Sequence, residues 1–211
     1  MISTVTANER LIREYGAGLG LPIARRPQFT YTLDEGHHEA RLTEFMGATS
    51  VFRWQNGGSL PVASINPSGD CVCVLGCHRM LDVSEVAVVQ AHEMFHIAQM
   101  ENNRAGYDFC AEWLSADHRR LRVAAQEFPR CPVVNRRRMR PGFESRERML
   151  ERATDLYALW ATANLGLYGH LTSGLYDLAA EFVAEYLREF TPDTPCRAGR
   201  QPHQWAYGGA S

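Results

Sequence analysis

Residues 88–100 read VVQAHEMFHIAQM and contain the pattern His92-Glu93-x-x-His96. Residues four apart lie on one face of an α-helix, so the two imidazoles can bind a single zinc ion. Glu93 is rotated by about 100° from His92, which lets its carboxylate approach a zinc-held water without being a ligand. Zinc lowers the pKa of that water toward about 7, and the carboxylate takes its proton as the oxygen attacks a carbonyl. The stretch therefore predicts a catalytic zinc helix with Glu93 as general base.

The residues around the motif distinguish a zinc-binding helix from the alternative, which is an ordinary amphipathic helix with two half-buried histidines and no metal. Val89 precedes the motif, Met94 and Phe95 lie within it, and Ile97 and Ala98 follow it, so its neighbours are uncharged. Such a helix can be buried around an ion, and a dry surrounding shell is what a catalytic zinc requires. The flanking residues therefore favour the metal site.

A catalytic zinc also needs a third protein ligand and an open fourth position. No further histidine follows the motif at a suitable spacing, which leaves a carboxylate from another helix. The best candidate lies in MLERATDLYALWA, residues 149–161, where Glu151 and Asp155 are four apart on an amphipathic helix. With Glu151 as a ligand, Asp155 can accept a hydrogen bond from the far nitrogen of a ligand histidine and fix its tautomer.

The HExxH motif, followed on a later helix by Glu151-x-x-x-Asp155, resembles the gluzincin group of zinc metallopeptidases. The separation is similar to that of short members such as the mini-gluzincin and ImmA-like families. The resemblance covers roughly residues 45–165 and, outside the two motifs, concerns the order of elements. It implies that the strand near residues 71–75 pairs with an extended peptide substrate. It also implies site roles: metal ligands His92, His96 and Glu151, general base Glu93, and an outer partner Asp155.

Asp117 is a second candidate for the third ligand. The segment AEWLSADHRR, residues 111–120, is similar to the WLxEG segment that supplies the ligand glutamate of other gluzincins. Ala116 stands where that glutamate is expected, and Asp117 follows it with a shorter side chain in a shifted position. Glu151 is therefore preferred over Asp117.

A developing oxyanion needs a hydrogen-bond donor besides zinc. The segment NLGLYGHLTSGLY, residues 164–176, carries Tyr168, His170 and Tyr176 just after the helix of Glu151. Tyr168 or His170 is the candidate donor, and an ordinary loop or core position is the alternative for each.

The order of sequence patterns predicts an α+β fold. A β-rich stretch at residues 49–76, divided by the turn-forming segments NGG and NPSGD, precedes several helical patterns. We expect a zincin-like fold with a small antiparallel sheet packed on the motif helix and a second ligand-bearing helix, followed by further C-terminal helices. We also expect a single domain over residues 1–190 and a polar, proline-containing tail over residues 191–211.

Composition suggests no membrane or nucleic-acid partner, because the net charge of the 211-residue chain is only -2. The N-terminus lacks the order of a signal peptide, and no apolar run approaches the roughly 18 residues of a membrane span. We therefore expect a cytoplasmic protein whose six cysteines are free thiols. Cys71, Cys73 and Cys77 fit no common zinc spacing, so small buried side chains are the favoured interpretation of this cluster.

Ten of the 22 arginines lie between residues 118 and 148, and lysine is absent from the chain. Such a cluster can contact a polyanion, although a solvated loop paired with acidic neighbours is the favoured interpretation. The arginines that define the possible anionic contact are Arg136, Arg137, Arg138 and Arg140.

The whole pattern predicts a zinc-dependent metallopeptidase that acts on a protein or peptide. Two alternatives stay open. The same metal site can serve a hydrolase or lyase of a small molecule, because fold does not fix substrate. A regulatory or polyanion-binding module with a structural zinc is the other, and a fourth protein ligand would distinguish it from an enzyme.

Overall fold

The computed structural model of the protein describes residues 2–22, 28–32, 39–40, 52–53, 62–65, 71–76, 83–131 and 146–191. The described helices are α1 (Ile2–Gly18), α2 (Val83–Glu101), α3 (Asn103–Ser115), α4 (His118–Glu127), α5 (Arg146–Asn164) and α6 (Ser173–Phe190), with a 3-10 turn at Phe128–Arg130. The described strands are β1 (Gln28–Thr32), β2 (Glu39–Ala40), β3 (Phe52–Arg53), β4 (Val62–Ile65) and β5 (Cys71–Gly76). Residues 192–211, most of the predicted tail, lie outside these ranges.

Helix α2, which carries the HExxH motif, is the centre of the packed core. It contacts α1, α3 and α5, and residues 85–95 are buried without interruption. Phe95 stacks on Tyr157 of α5 with ring centroids 4.3 Å apart, and its ring lies 4.8 Å from that of Tyr186 in α6. A helix that is buried on every side needs neighbouring elements all around it. The aromatic contacts therefore fix how α2 and α5 face each other.

Local signals explain where several helices begin and end. The Thr172 side chain accepts a hydrogen bond from the Leu175 backbone N–H at the start of α6. Gly166, just beyond the end of α5, has a φ of 68°, and Leu167 N donates to Thr162 O across it. That left-handed conformation favours glycine and satisfies carbonyls at the helix end.

Helix α4 is attached to its neighbours by charged and aromatic contacts. The Arg120 guanidinium lies 3.9 Å from the centroid of the Trp113 ring and donates to Glu181 and Glu185 on α6. The Trp113 indole N–H also donates to Glu185 at 2.9 Å. A planar guanidinium suits such combined stacking and carboxylate binding, which holds α3, α4 and α6 together.

The short strands pair differently from the prediction. β5 lies between β1 and β4 and runs parallel to β1 and antiparallel to β4, while β2 and β3 form a separate antiparallel pair. Both edges of β5 are thus occupied by described strands. The expectation that this strand offers its backbone to a peptide substrate is therefore wrong.

The predicted α+β class with a small antiparallel sheet packed on the motif helix is also wrong. The part of the chain in which side chains are described is all helical, and its core is built from helices packed on helices. The three-stranded pairing seen in the backbone is mixed rather than antiparallel. The turn signals in residues 49–76 favoured adjacent hairpins, but partner choice among short strands depends on distant contacts that local signals do not specify.

Buried or partly buried tyrosines and a buried thiol make the free energy of unfolding fall at alkaline pH. Burial raises the pKa of Tyr15 and that of Cys110 to about 12, and it also raises the pKa values of Tyr157 and Tyr186. In the unfolded chain these groups ionise near their ordinary pKa values of about 8.5 to 10. The stability they contribute is therefore complete below about pH 8.5 and is lost as the pH rises toward 12.

We predict that the free energy of unfolding in urea is nearly constant from pH 7 to about 8.5 and falls steadily above about pH 9. Tyr157→Phe, which cannot ionise, should show a shallower fall than the wild type. Urea titrations followed by circular dichroism at several pH values test this. An unfolding free energy that stays flat through about pH 11 would contradict the burial of these groups.

Gly106 marks a close approach between α3 and the end of α2. A Cβ atom at this position would lie 2.7 Å from the Gln99 carbonyl oxygen and 3.0 Å from the Asn102 Cβ. We predict that Gly106→Ala destabilises the fold by about 1–3 kcal/mol, because the obstacle is backbone that cannot move aside alone. Thermal unfolding tests this, with Gly174→Ala as the matched control, since a Cβ there meets nothing within 4 Å. Equal effects of the two substitutions would contradict the close approach.

Candidate metal centre

Helices α2 and α5 bring the three predicted metal ligands together. His92 and His96 lie one turn apart on α2, and Glu151 lies on α5. The His92 Nε2 atom is 3.1 Å from His96 Nε2 and 3.2 Å from one Glu151 oxygen, while the other Glu151 oxygen is 3.5 Å from His96 Nε2. Within residues 83–131 and 146–191, these three side chains form a group of the type that can hold a metal ion.

The separations fit a small tetrahedral ion. Zinc bonds to nitrogen are about 2.0–2.1 Å long, and two ligands of a tetrahedral ion at that distance lie about 3.3 Å apart. The observed separations of 3.1, 3.2 and 3.5 Å, of which the last two involve different oxygens of Glu151, lie on both sides of this value, and one ligand atom from each residue lies within 4.8 Å of the other two. Two imidazoles and a carboxylate are also ligand types that zinc accepts.

The outer nitrogens of both imidazoles are already engaged. The Nδ1 atom of His92 donates to Asp155 Oδ1 at 2.8 Å, and the Nδ1 atom of His96 donates to Gln99 Oε1 at 2.6 Å. A neutral imidazole that donates through Nδ1 has only a lone pair at Nε2. The two Nε2 atoms and the Glu151 carboxylate therefore face one another as three hydrogen-bond acceptors. Such acceptors repel one another, so a shared cation or additional protons must lie between them.

The carboxylate of Glu151 is partly open to solvent, whereas His92 is enclosed. The Glu151 side chain is 44% exposed, compared with 18% for His96 and 2% for His92. Burial acts to raise the pKa of Glu151, but in the metal-free group hydrogen bonds and charge from histidines that carry an additional proton at Nε2 outweigh it and hold that pKa well below its usual range. The ligand group thus has an ionised, solvent-facing side.

Glu93 and Asp155 are both buried, and Asp155 contacts the ligand group. Glu93 follows His92 directly on α2 and is 7% exposed. Asp155 lies one turn beyond Glu151 on α5, fully buried, and its hydrogen bond to His92 fixes the tautomer of that ring. The role of Glu93 as general base stays a prediction.

Gln99 is a site residue that the sequence motifs do not indicate. It lies three residues after His96 on the same helix, and its amide oxygen accepts the hydrogen bond from the His96 ring. The sequence pattern that could have identified Gln99 is its position seven residues after His92 and three after His96, which places a polar side chain on the helix face that the two ligands share.

The structure does not bring Asp117 to the ligand group. Asp117 is exposed and stands at the N-terminus of α4, where its Oδ1 accepts a hydrogen bond from Arg119 N at 2.7 Å. A carboxylate at this position caps the first turn of a helix, which accounts for an aspartate there.

Tyr168 and His170 also lie away from the three ligands. The Tyr168 backbone N–H donates to Thr162 O near the end of α5, about 16 Å along the helix axis from Glu151. The buried Tyr168 hydroxyl lies 3.3 Å from Cys131 Sγ, and His170 is exposed beside the Tyr168 ring. Their predicted role as oxyanion donors has no support in this placement.

Several predicted features fall outside the described residues. These include Cys77, Cys196 and the arginines Arg136, Arg137, Arg138 and Arg140. Cys110 and Cys131 are buried free thiols, in agreement with the prediction of free cysteines at these two positions.

Comparisons with protein-family models, with curated proteins and with solved structures find no match to this chain. The resemblance to gluzincins therefore rests on the two motifs. No helix in the described part of the chain is long and apolar enough to cross a membrane.

We predict that the purified wild type binds one zinc ion per chain and that Glu151→Ala weakens zinc binding by more than about 100-fold. Loss of a ligand should exceed the 10–100-fold cost of losing an outer-shell partner. Asp117→Ala is the matched control and should keep the wild-type metal content. Metal analysis after equilibrium dialysis tests this. Zinc retained in Glu151→Ala but lost in Asp117→Ala would reverse the assignment of the third ligand.

Proposed function

We propose that the protein is a zinc-dependent metallopeptidase in which His92, His96 and Glu151 hold the ion and Glu93 is the general base. The observation that supports this most directly is the meeting of two Nε2 lone pairs and a carboxylate at separations of 3.1 to 3.5 Å. Protein ligands at such separations suit a tetrahedral ion. The fixed Nδ1 hydrogen bonds keep the lone pairs directed inward.

Two features favour a catalytic over a structural ion. Structural zinc sites are closed by four protein ligands, whereas the ligand group in the described residues supplies three. Glu151, the third of them, is half-exposed, so the open side of the group faces solvent. A carboxylate at position 93 has a use in hydrolysis and none in a purely structural site.

The protein's own residues divide the work of peptide hydrolysis among them. When bound, zinc supplies Lewis acidity that polarises a carbonyl and makes water more acidic. Glu93 takes a proton from the attacking water and delivers it to the departing amine nitrogen. Asp155 holds the His92 ring in place, and the buried wall of α2 excludes competing water.

A hydrolase or lyase of a small molecule is the second candidate, and the strand order favours it. β5 is paired on both sides by β1 and β4, so its backbone cannot align an extended peptide by strand addition. A small substrate needs no such edge, because a bound metal would polarise its carbonyl and Glu93 would take the proton of the attacking water.

Glu93→Gln separates chemistry from metal binding. We predict that this variant keeps its zinc but hydrolyses a mixed peptide library about 10²–10⁴-fold more slowly than the wild type, because the amide cannot accept a proton. Mass spectrometry of the digested library gives both the rate and the cleaved bonds. Glu101→Gln, at the end of the same helix, is the matched control and should cleave normally.

Different outcomes decide between the two candidates. If Glu93→Gln cleaved the peptide library at the wild-type rate, the general-base role of Glu93 would be ruled out. A zinc-loaded wild type that leaves every peptide intact, yet hydrolyses small esters or amides in a Glu93-dependent way, would replace the metallopeptidase by the small-molecule enzyme.

A further inference from the structure

We propose that Gln99 is a positioning residue that holds His96 in the one tautomer able to bind a metal. The inference rests on the proposed metal centre and extends it to a chain of hydrogen bonds that joins His96 to the backbone of α5. Gln99 itself touches neither the ion nor the substrate in this account.

Each hydrogen bond in the chain has a fixed direction. The Leu150 backbone carbonyl can only accept, so the Thr154 hydroxyl donates to it at 2.9 Å. The Thr154 oxygen is then the acceptor for Gln99 Nε2 at 3.0 Å. This bond turns the amide oxygen of Gln99 toward His96, whose Nδ1 must donate across 2.6 Å. A backbone carbonyl of α5 thus sets the tautomer of a histidine on α2.

Because it is buried, this chain of hydrogen bonds determines the orientation of the Gln99 amide. Gln99 and Thr154 are both fully buried, so water cannot replace either partner. The second amide hydrogen of Gln99 points at the Cys110 sulfur, 3.1 Å from Nε2, and the thiol stays protonated because burial raises the pKa of Cys110 to about 12. The Thr154 hydroxyl has already given its hydrogen to the Leu150 carbonyl and can only accept from Gln99, which excludes a flipped amide that presents N–H to the ring.

Helix α5 in this way controls both ligand imidazoles. Glu151 supplies the third ligand, Asp155 accepts from His92, and Thr154 orients the amide that accepts from His96. These three residues are at i, i+3 and i+4 and so share one face of the helix. The outer partner of His92 is the Asp155 carboxylate, and that of His96 is the Gln99 amide. Both ring tautomers are thus fixed with a single buried carboxylate behind the two ligands.

The test measures the histidine directly and then the metal. In Gln99→Leu, which keeps the size of the side chain but no acceptor, long-range proton–nitrogen NMR correlations of the metal-free protein should show His96 losing its preference for a protonated Nδ1. Zinc affinity, measured by competition with a chelator, should fall about 10–100-fold. Gln90→Leu is the matched control, because Gln90 is also fully buried on α2 but rotated by about 200° from His92.

Two further variants keep the inference testable if Gln99→Leu does not fold. Gln99→Glu retains an acceptor for His96 and should bind zinc within about threefold of the wild type. Thr154→Val removes the acceptor that orients Gln99 and should lower the affinity about 3–10-fold, less than the loss of Gln99 itself.

A Gln99→Leu protein with the wild-type His96 tautomer, or with a zinc affinity no lower than that of Gln90→Leu, would overturn the inference while leaving the metal centre intact. A wild type that binds no zinc would instead overturn the proposed function. The NMR measurement on the metal-free protein would still decide whether Gln99 sets the tautomer of His96.

Discussion

The proposed metal centre depends on one constraint: both ligand histidines use their Nδ1 atoms to donate hydrogen bonds to oxygens inside the core. His92 donates to Asp155 and His96 to Gln99, which leaves two Nε2 lone pairs facing each other at 3.1 Å beside the Glu151 carboxylate. Three acceptors at such a distance repel one another unless a cation or additional protons lie between them. The metal proposal, the open side at Glu151 and the positioning role of Gln99 all follow from this arrangement.

The packing of α2 against α5 maintains that constraint. The stacked rings of Phe95 and Tyr157, 4.3 Å apart, lie one residue before His96 and two residues after Asp155, so they set the spacing of the two helices next to the ligands. Gly106 lets α3 approach the Gln99 backbone closely. Because core packing tolerates little change in volume, small displacements of either helix would be felt at the ligand atoms.

Local patterns predicted the helices and the ligand group better than the sheet. The spacing of His92, His96 and Glu151 on two helices follows from helix periodicity, and the structure brings these three side chains together. The end of α5 at Gly166 follows from the conformational freedom of glycine. Strand partners depend on contacts between distant segments, so the position of β5 between β1 and β4 had no local signal. Gln99 was missed because its role depends on Thr154, a residue on another helix.

X-ray absorption at the zinc edge of the zinc-loaded wild type is the decisive measurement for the proposed centre, because it reports the atoms bound to the ion. We expect two imidazole nitrogens and additional oxygen ligands at about 2.0–2.2 Å, with no sulfur. Sulfur ligands at about 2.3 Å would place the ion at cysteines and overturn the proposed centre. Four imidazole or sulfur ligands would identify a closed structural site and remove the basis for catalysis at His92, His96 and Glu151.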